Sequence, residues 1–267
     1  MARIIVVASG KGGVGKTTTT ANVATAIAAL GNRVVAIDGD VGLRNLDVLM
    51  GLENRIVYTL VDYLDGNCRL NQTLIRDKRV ENLCMIPTAQ SKNKDAVSAE
   101  QMVKVCEELR DDYDYILIDS PAGIESGFKS AAAGAEEALV VTTPDVTAVR
   151  DADRIIGLLE SMEKSPIRLI VNRIRPQMVK SGDMLGVSDV LDILAIPLIG
   201  MVPDDESVFT STSKGEPLTL SSKTTAAVAF RNIAGRIAGQ DIPFLNFDAP
   251  SGGGIFGFIK KAFGHGR

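Results

Sequence analysis

The sequence predicts a three-layer α/β/α sandwich built around a mostly parallel sheet. Three observations predict it: short apolar runs without polar alternation, helical segments spaced between them, and a glycine-rich loop joining the first run to the first helix. A strand covered on both faces reads as a continuous apolar run, because neither face has to meet water. With 267 residues, 45% of them apolar, the chain is long enough to bury such a core as one main domain.

Ile4-Ile5-Val6-Val7-Ala8 is the first run, and Ala21 to Leu30, rich in small residues, suits the helix beyond the glycine loop. Arg33 to Ile37 closes on Asp38, and Tyr115 to Ile118 closes on Asp119. Leu83 to Ile86, Ala138 to Thr142, Ile167 to Val171 and Pro197 to Met201 are further strand candidates. Ser98 to Arg110, Val146 to Met162, Val187 to Leu194 and Thr224 to Ala238 read as the intervening helices. Ligands of doubly wound sheets bind beyond the carboxyl ends of strands, where the glycine loop and both aspartates stand.

The charged fraction is 23%, and 29 basic residues against 33 acidic ones leave a net charge of -4. That balance excludes a disordered chain and a strongly basic nucleic-acid coat. Cys68, Cys84 and Cys106 are odd in number and lack CxxC spacing, so neither a disulfide framework nor a structural zinc site is expected. A reducing cytoplasm fits, with no secretory peptide and no run near the roughly 20 apolar residues that span a bilayer.

Gly10-Lys11-Gly12-Gly13-Val14-Gly15-Lys16-Thr17 fits the G-x-x-x-x-G-K-[ST] pattern between a strand and a helix, the pattern of a P-loop NTPase. Glycines let consecutive amides turn towards phosphate oxygens, and a helix starting near Lys16 adds its positive end. Lys16 is expected on the β and γ phosphates of ATP and Thr17 on Mg2+. Asp119 is placed to hold Mg2+ or one of its waters, Asp40 to position the attacking water, and Asp38 to support the metal or order its loop. Each aspartate is also a residue type that caps local turns. Lys11, a second lysine in the loop, reads either as a solvated side chain or as charge offered across an interface.

Lys11 to Thr17, Asp38-Gly39-Asp40 and Asp119-Ser120-Pro121-Ala122-Gly123 together resemble the deviant Walker A ATPases, the ParA/MinD family. The likeness runs through all 267 residues and is nearest to the division-site-selecting branch. It implies that ATP closes a face-to-face dimer in which Lys11 contacts phosphates held by the opposing subunit, so Lys11, Lys16 and Asp40 carry the chemistry. It also implies nucleotide contacts along Gly10 to Thr18, including Gly12, Gly13, Val14, Gly15 and Thr18, and adenine contacts from Asn172, Pro203 and Asp204. Residues 39 to 47 and 119 to 127 would be switches. A MinC-like division inhibitor and a MinE-like activator would bind overlapping surfaces of the dimer, with Arg44, Asp145 and Asp151 as contributors. Within the same fold, the alternative is a partition ATPase binding nonspecific DNA, for which a basic surface and strong salt dependence are expected.

Asp248 to Gly254 reads as a hinge, dividing an ATPase domain, 1–248, from a linker, 249–254, and a tail, 255–267. Residues 252 to 267 carry Lys260, Lys261 and Arg267 and no acid, a formal +3, which leaves -7 on the preceding 251 residues. As a helix, Ile255 to Phe263 would gather Ile255, Phe256, Phe258, Ile259, Ala262 and Phe263 on an arc of about 160°, with both lysines beyond its edges. Such a stripe is expected to bind an anionic membrane, peripherally on the inner face, while the ammonium groups reach the headgroups; the alternative is that it packs on the protein body as a terminal core helix. One tail is marginal, because ordering about nine residues offsets the burial of five large side chains. Two tails tethered in a dimer bind around 100-fold more strongly or better. No specific nucleic acid is expected as a partner.

Overall fold

Apolar, β-branched runs fold as strands β1 (Arg3–Ala8), β2 (Val34–Asp38), β3 (Ile75–Arg76), β4 (Leu83–Ile86), β5 (Tyr115–Asp119), β6 (Glu137–Thr142), β7 (Ile167–Ile174) and β8 (Leu198–Pro203). The computed structural model describes residues 1–90 and 96–247. The strands form one sheet in the order β3-β4-β2-β5-β1-β6-β7-β8. All pairings are parallel except that of β3, a two-residue edge strand antiparallel to β4. The mostly parallel sheet expected from the apolar runs is therefore present. β3 has no counterpart in the sequence reading, because two residues are too few to show a period.

Between the strands lie helices α1 (Lys16–Ala29), α2 (Leu46–Leu49), α3 (Leu60–Leu64), α4 (Leu70–Thr73), α5 (Ala99–Leu109), α6 (Ser126–Ala133), α7 (Val146–Ser161), α8 (Pro176–Ser181) and α9 (Val187–Leu194), and α10 (Glu206–Ser213) and α11 (Thr225–Ile237) follow β8. Side chains of β1 alternate between two cores, with Ile4, Val6 and Ala8 on one face and Ile5 and Val7 on the other. The first core is closed by Met102, Val105 and Cys106 of α5, Phe128 of α6, Ile155 and Leu159 of α7 and Val190 of α9. The second is closed by α1 and α11, whose Ala24, Ala28, Ala226 and Ala234 let the two helices lie close together. Burial on both faces makes the third layer, as the α/β/α expectation requires.

One local reading changes. β7 runs on to Ile174, so Asn172 lies inside the strand and not at its end, beside an irregular register between Val171 and Ile174. Arg173 there adopts φ +57, which turns the chain without ending the pairing. The expected switch at residues 119–127 runs from the end of β5 at Asp119 into α6, which begins at Ser126.

The sheet register sets up the site. Asp38 lies beside Asp119 on neighbouring β2 and β5, and Asp119 pairs with Val7 of β1, one residue before that strand ends. The carboxyl ends of three central strands thus converge. In the last turn of α11, Arg236 donates to the carbonyls of Ile242, Ile199 and Pro243 at 2.8–2.9 Å, tying down the last described segment. The expected linker, 249–254, and tail, 255–267, lie outside the described residues. Among the described residues, no helix is long and apolar enough to cross a membrane.

Candidate functional site

β1 delivers the chain at Ala8 into a loop that turns back into α1 at Lys16. Gly15 makes that turn with φ +93, and the space where its Cβ would stand holds the side-chain amide of Asn172. Asn172 Nδ2 in turn donates to the Val14 carbonyl at 2.8 Å. On the other flank a Cβ on Gly10 would strike the Asp151 backbone carbonyl of α7. The loop is thereby clamped between β7 and α7. Lys11, Gly12 and Gly13 are exposed, whereas Val14 is buried and Thr17 and Thr18 are half-buried. α1 opens at Gly15 without a side-chain cap and without an acid in its first turn, which keeps the positive end of the helix available for an anion.

Lys16 is buried, and its Nζ lies 3.1 Å from Asp119 Oδ1, itself buried. Thr20 Oγ1 reaches the same oxygen at 2.9 Å. Asp38, also fully buried, accepts hydrogen bonds from the backbone N–H of Asp40 at 3.1 Å and of Leu46 at 3.4 Å. Burial, reinforced by the neighbouring Asp119 charge, outweighs those two donors and pushes the Asp38 carboxyl up to about 8.

Both expected switch segments touch this centre. Gly39 N–H donates to the Asp119 carbonyl at 2.9 Å, and Gly123 N–H donates to the Ser9 carbonyl at 3.0 Å. Arg44 takes φ +44 and places Nε 2.5 Å from the buried Asp47 carboxylate. Asp40 is half-buried, and its carbonyl accepts from Leu43 and Arg44 as the chain turns into α2.

Lys11 stands apart from Lys16. Its Nζ donates to Thr147 Oγ1 at 3.2 Å, and Thr147 donates to Asp145 Oδ1 at 2.7 Å. Asp145 caps α7 through the Ala148 N–H at 2.9 Å. Burial raises its pKa, but hydrogen bonds from Thr143, Ala148 and Thr147, with the Lys11 charge, hold the carboxyl below its usual value. Asp151, a turn further on, pairs with Arg154 at 3.6 Å. Pro203 ends β8, and Asp204 pairs with Arg175 at 2.6 Å on the rim of an open depression that also includes Ile174, Met178 and Phe209. The structure thus gathers Lys16, Asp38 and Asp119 at one point and places Asn172 against the loop. It sets Lys11 at the mouth and Pro203 with Asp204 to one side.

A family model for the CobQ/CobB/MinD/ParA nucleotide binding domain matches residues 5–218. The septum site-determining protein MinD of Synechocystis is 58% identical over 250 residues, covering 93% of this chain and 94% of that protein. The chain belongs to the MinD/ParA family of nucleotide-binding ATPases. Among solved structures, the MinC:MinD cell division complex of Aquifex aeolicus matches with 48% identity and a TM-score of 0.86, over 92% of this chain and 99% of that one. MinD of Pyrococcus horikoshii, solved with Mg-ADP, matches with 30% identity and a TM-score of 0.80, over 89% and 96% of the two chains.

The residues fit the nucleotide and metal that this family implies. The uncapped helix start and a buried ammonium suit phosphate, and Thr17, Asp38 and Asp119 offer the hard oxygen donors that Mg2+ prefers. Among the described residues, no group of three His, Cys, Asp or Glu side chains able to hold a metal occurs. Sequence reasoning missed Thr20 and Thr147. Thr20 had one available signal, its position four residues beyond Lys16 on the same helix; Thr147 had none, because its contact spans 136 positions of chain.

Proposed function

We propose that this protein is a magnesium-dependent ATPase of the MinD type that selects the division site by cycling on and off a membrane as an ATP dimer. The observation that carries the reading is the separation of its two loop lysines, one buried on Asp119 and the other exposed at the mouth. Lys16 is positioned to serve the nucleotide of its own subunit, and an exposed Lys11, resting on Thr147, stands at the mouth to serve another across a dimer. Bound magnesium neutralises phosphate charge. The loop amides from Gly10 to Thr18 cradle the phosphates, Thr17, Asp38 and Asp119 hold the metal, and Asp40 orients the attacking water. Asn172, with its nitrogen on Val14, offers its amide oxygen to the base, beside Pro203 and Asp204.

Relatedness to a chain solved with MinC supports a MinC-like inhibitor as partner of the dimer. A MinE-like activator, the domain division at 248 and the tail as membrane anchor complete the reading; Arg44, Asp145 and Asp151 supply partner contacts. The body is acidic, which speaks against the DNA-partition alternative. The test is co-sedimentation with anionic liposomes in ADP, ATP and a non-hydrolysable analogue, with light scattering in parallel. Exchanging Phe256 and Phe263 for aspartate should abolish sedimentation and keep the ATP dimer, whereas Lys11→Ala should bind ATP and lose both dimer and sedimentation. Sedimentation of the aspartate variant at the parent level would remove the anchor, and a normal Lys11→Ala dimer would remove the role across the interface.

A further inference from the structure

We infer that Thr20 is a positioning residue that holds the Asp119 carboxylate while Lys16 changes partners. Resting on the reading of Asp119 as a metal-site residue, it names the group that keeps that site in shape.

Lys16 Nζ and Thr20 Oγ1 converge on a single oxygen, Asp119 Oδ1, at 3.1 and 2.9 Å. All three residues are buried, with Thr20 at 0% exposure and Asp119 at 1%. For Lys16 to reach phosphate it has to leave Asp119. A buried carboxylate stripped of its cation is costly, and with Asp38 alongside it faces a second acid as well. Thr20 does not take part in the exchange. It sits one turn along α1, in the body of the helix, and its hydroxyl reaches Asp119 directly and not through the Lys16 side chain.

Other threonines of the same helix show what an ordinary hydroxyl does there. Thr19 donates to the Gly15 carbonyl at 2.8 Å and Thr25 to the Ala21 carbonyl at 2.7 Å, each four residues back. Thr20 also has its carbonyl four back, Lys16 O, but at 3.1 Å, further than the carboxylate oxygen. A hydroxyl has one hydrogen to give, and the ionised oxygen is the stronger acceptor. Thr20 therefore serves Asp119, and through it the cation that the carboxylate receives when Lys16 departs.

The experiment is calorimetric binding of ADP with excess Mg2+ and with EDTA, on the parent, T20V, T20S and D119N. T20V keeps the volume and loses the hydrogen; losing a hydrogen bond to a charged group should cut the gain in ADP affinity conferred by Mg2+ about ten-fold. Binding in EDTA should stay within about two-fold, and T20S should match the parent, since it retains the hydroxyl. Equal weakening of T20V with and without Mg2+, or no weakening at all, would overturn the proposal. D119N should lose the Mg2+ gain. If D119N keeps it, the metal reading of Asp119 falls and this proposal with it; if D119N loses it while T20V does not, Thr20 alone is refuted. Should T20V fail to give a cooperative melt, T20A removes the same hydrogen without a branched replacement and is judged by the same outcomes.

Discussion

The two ends of the sheet handle charge in opposite ways. At the amino end, Arg3 meets both oxygens of Glu137 at 2.7 Å, and Arg168 adds a third contact to Glu137 at 3.3 Å. The Arg3 guanidinium also stacks 5.5 Å from the Tyr115 ring and donates to the Ile237 carbonyl, tying α11 to the central strands. At the carboxyl end, two buried acids, Asp38 and Asp119, lie side by side, and Lys16 reaches one of them through one contact. A bidentate pair with its remaining donors used is a finished structure. A single ammonium on one of two neighbouring acids is a pairing held until a better partner arrives, because the two backbone donors to Asp38 do not outweigh its desolvation and its repulsion by Asp119. Stability sits at one end and exchangeable charge at the other.

Lys16→Met would break this comparison most severely. Removing the cation leaves Asp119 buried beside Asp38 and takes away the phosphate-binding charge, so ATP affinity should fall by about 100-fold or more. Breaking a buried pair costs about 3–5 kcal/mol. Arg3→Met, at the other end, should lower stability by about 1–2 kcal/mol, its pair being partly exposed, and leave ATP affinity at the parent value. Calorimetry and thermal melts on both variants check this. A loss of nucleotide affinity in Arg3→Met would show that the two ends are not separate.

Much of the carboxyl end is legible from the sequence, because its parts end recognisable runs. Asp38 and Asp119 each close an apolar strand, and the glycine loop follows another. Their adjacency is not legible: it depends on β2 and β5 being neighbours although 76 residues separate the end of β2 from the start of β5, and strand order is a tertiary fact. Thr20 hides for a different reason. In the run Thr17 to Thr20 nothing local distinguishes the hydroxyl that turns inward, and only the helical spacing from Lys16 marks it once α1 is known to start there. Short helices such as α3 and α4 escape because four or five residues show no period. The amino-end staple is invisible for the same reason as the acid pair, since Arg3 and Glu137 are 134 positions apart.

Between the two extremes lies the start of α7, where Lys11 leans on Thr147 and Asp145. Here the charges are partly exposed and the acid is satisfied, so the expected effect is the smallest. Asp145→Ala removes an N-cap worth about 1 kcal/mol, whereas Asp145→Asn keeps an oxygen for the Ala148 N–H and should lose less. The pH dependence has a definite sign. Asp145 is held below its ordinary carboxyl value in the folded protein, so the stabilisation tied to its charge is fully present above the unfolded carboxyl range and lost as pH falls through the folded value. The gap in stability between the parent and Asp145→Ala should be constant from about pH 5 to 8 and close on acidification below about pH 4. Denaturant melts across that range measure it. A gap that widens on acidification would mean that Asp145 is strained by its surroundings, and would move the start of α7 to the side of the buried acids.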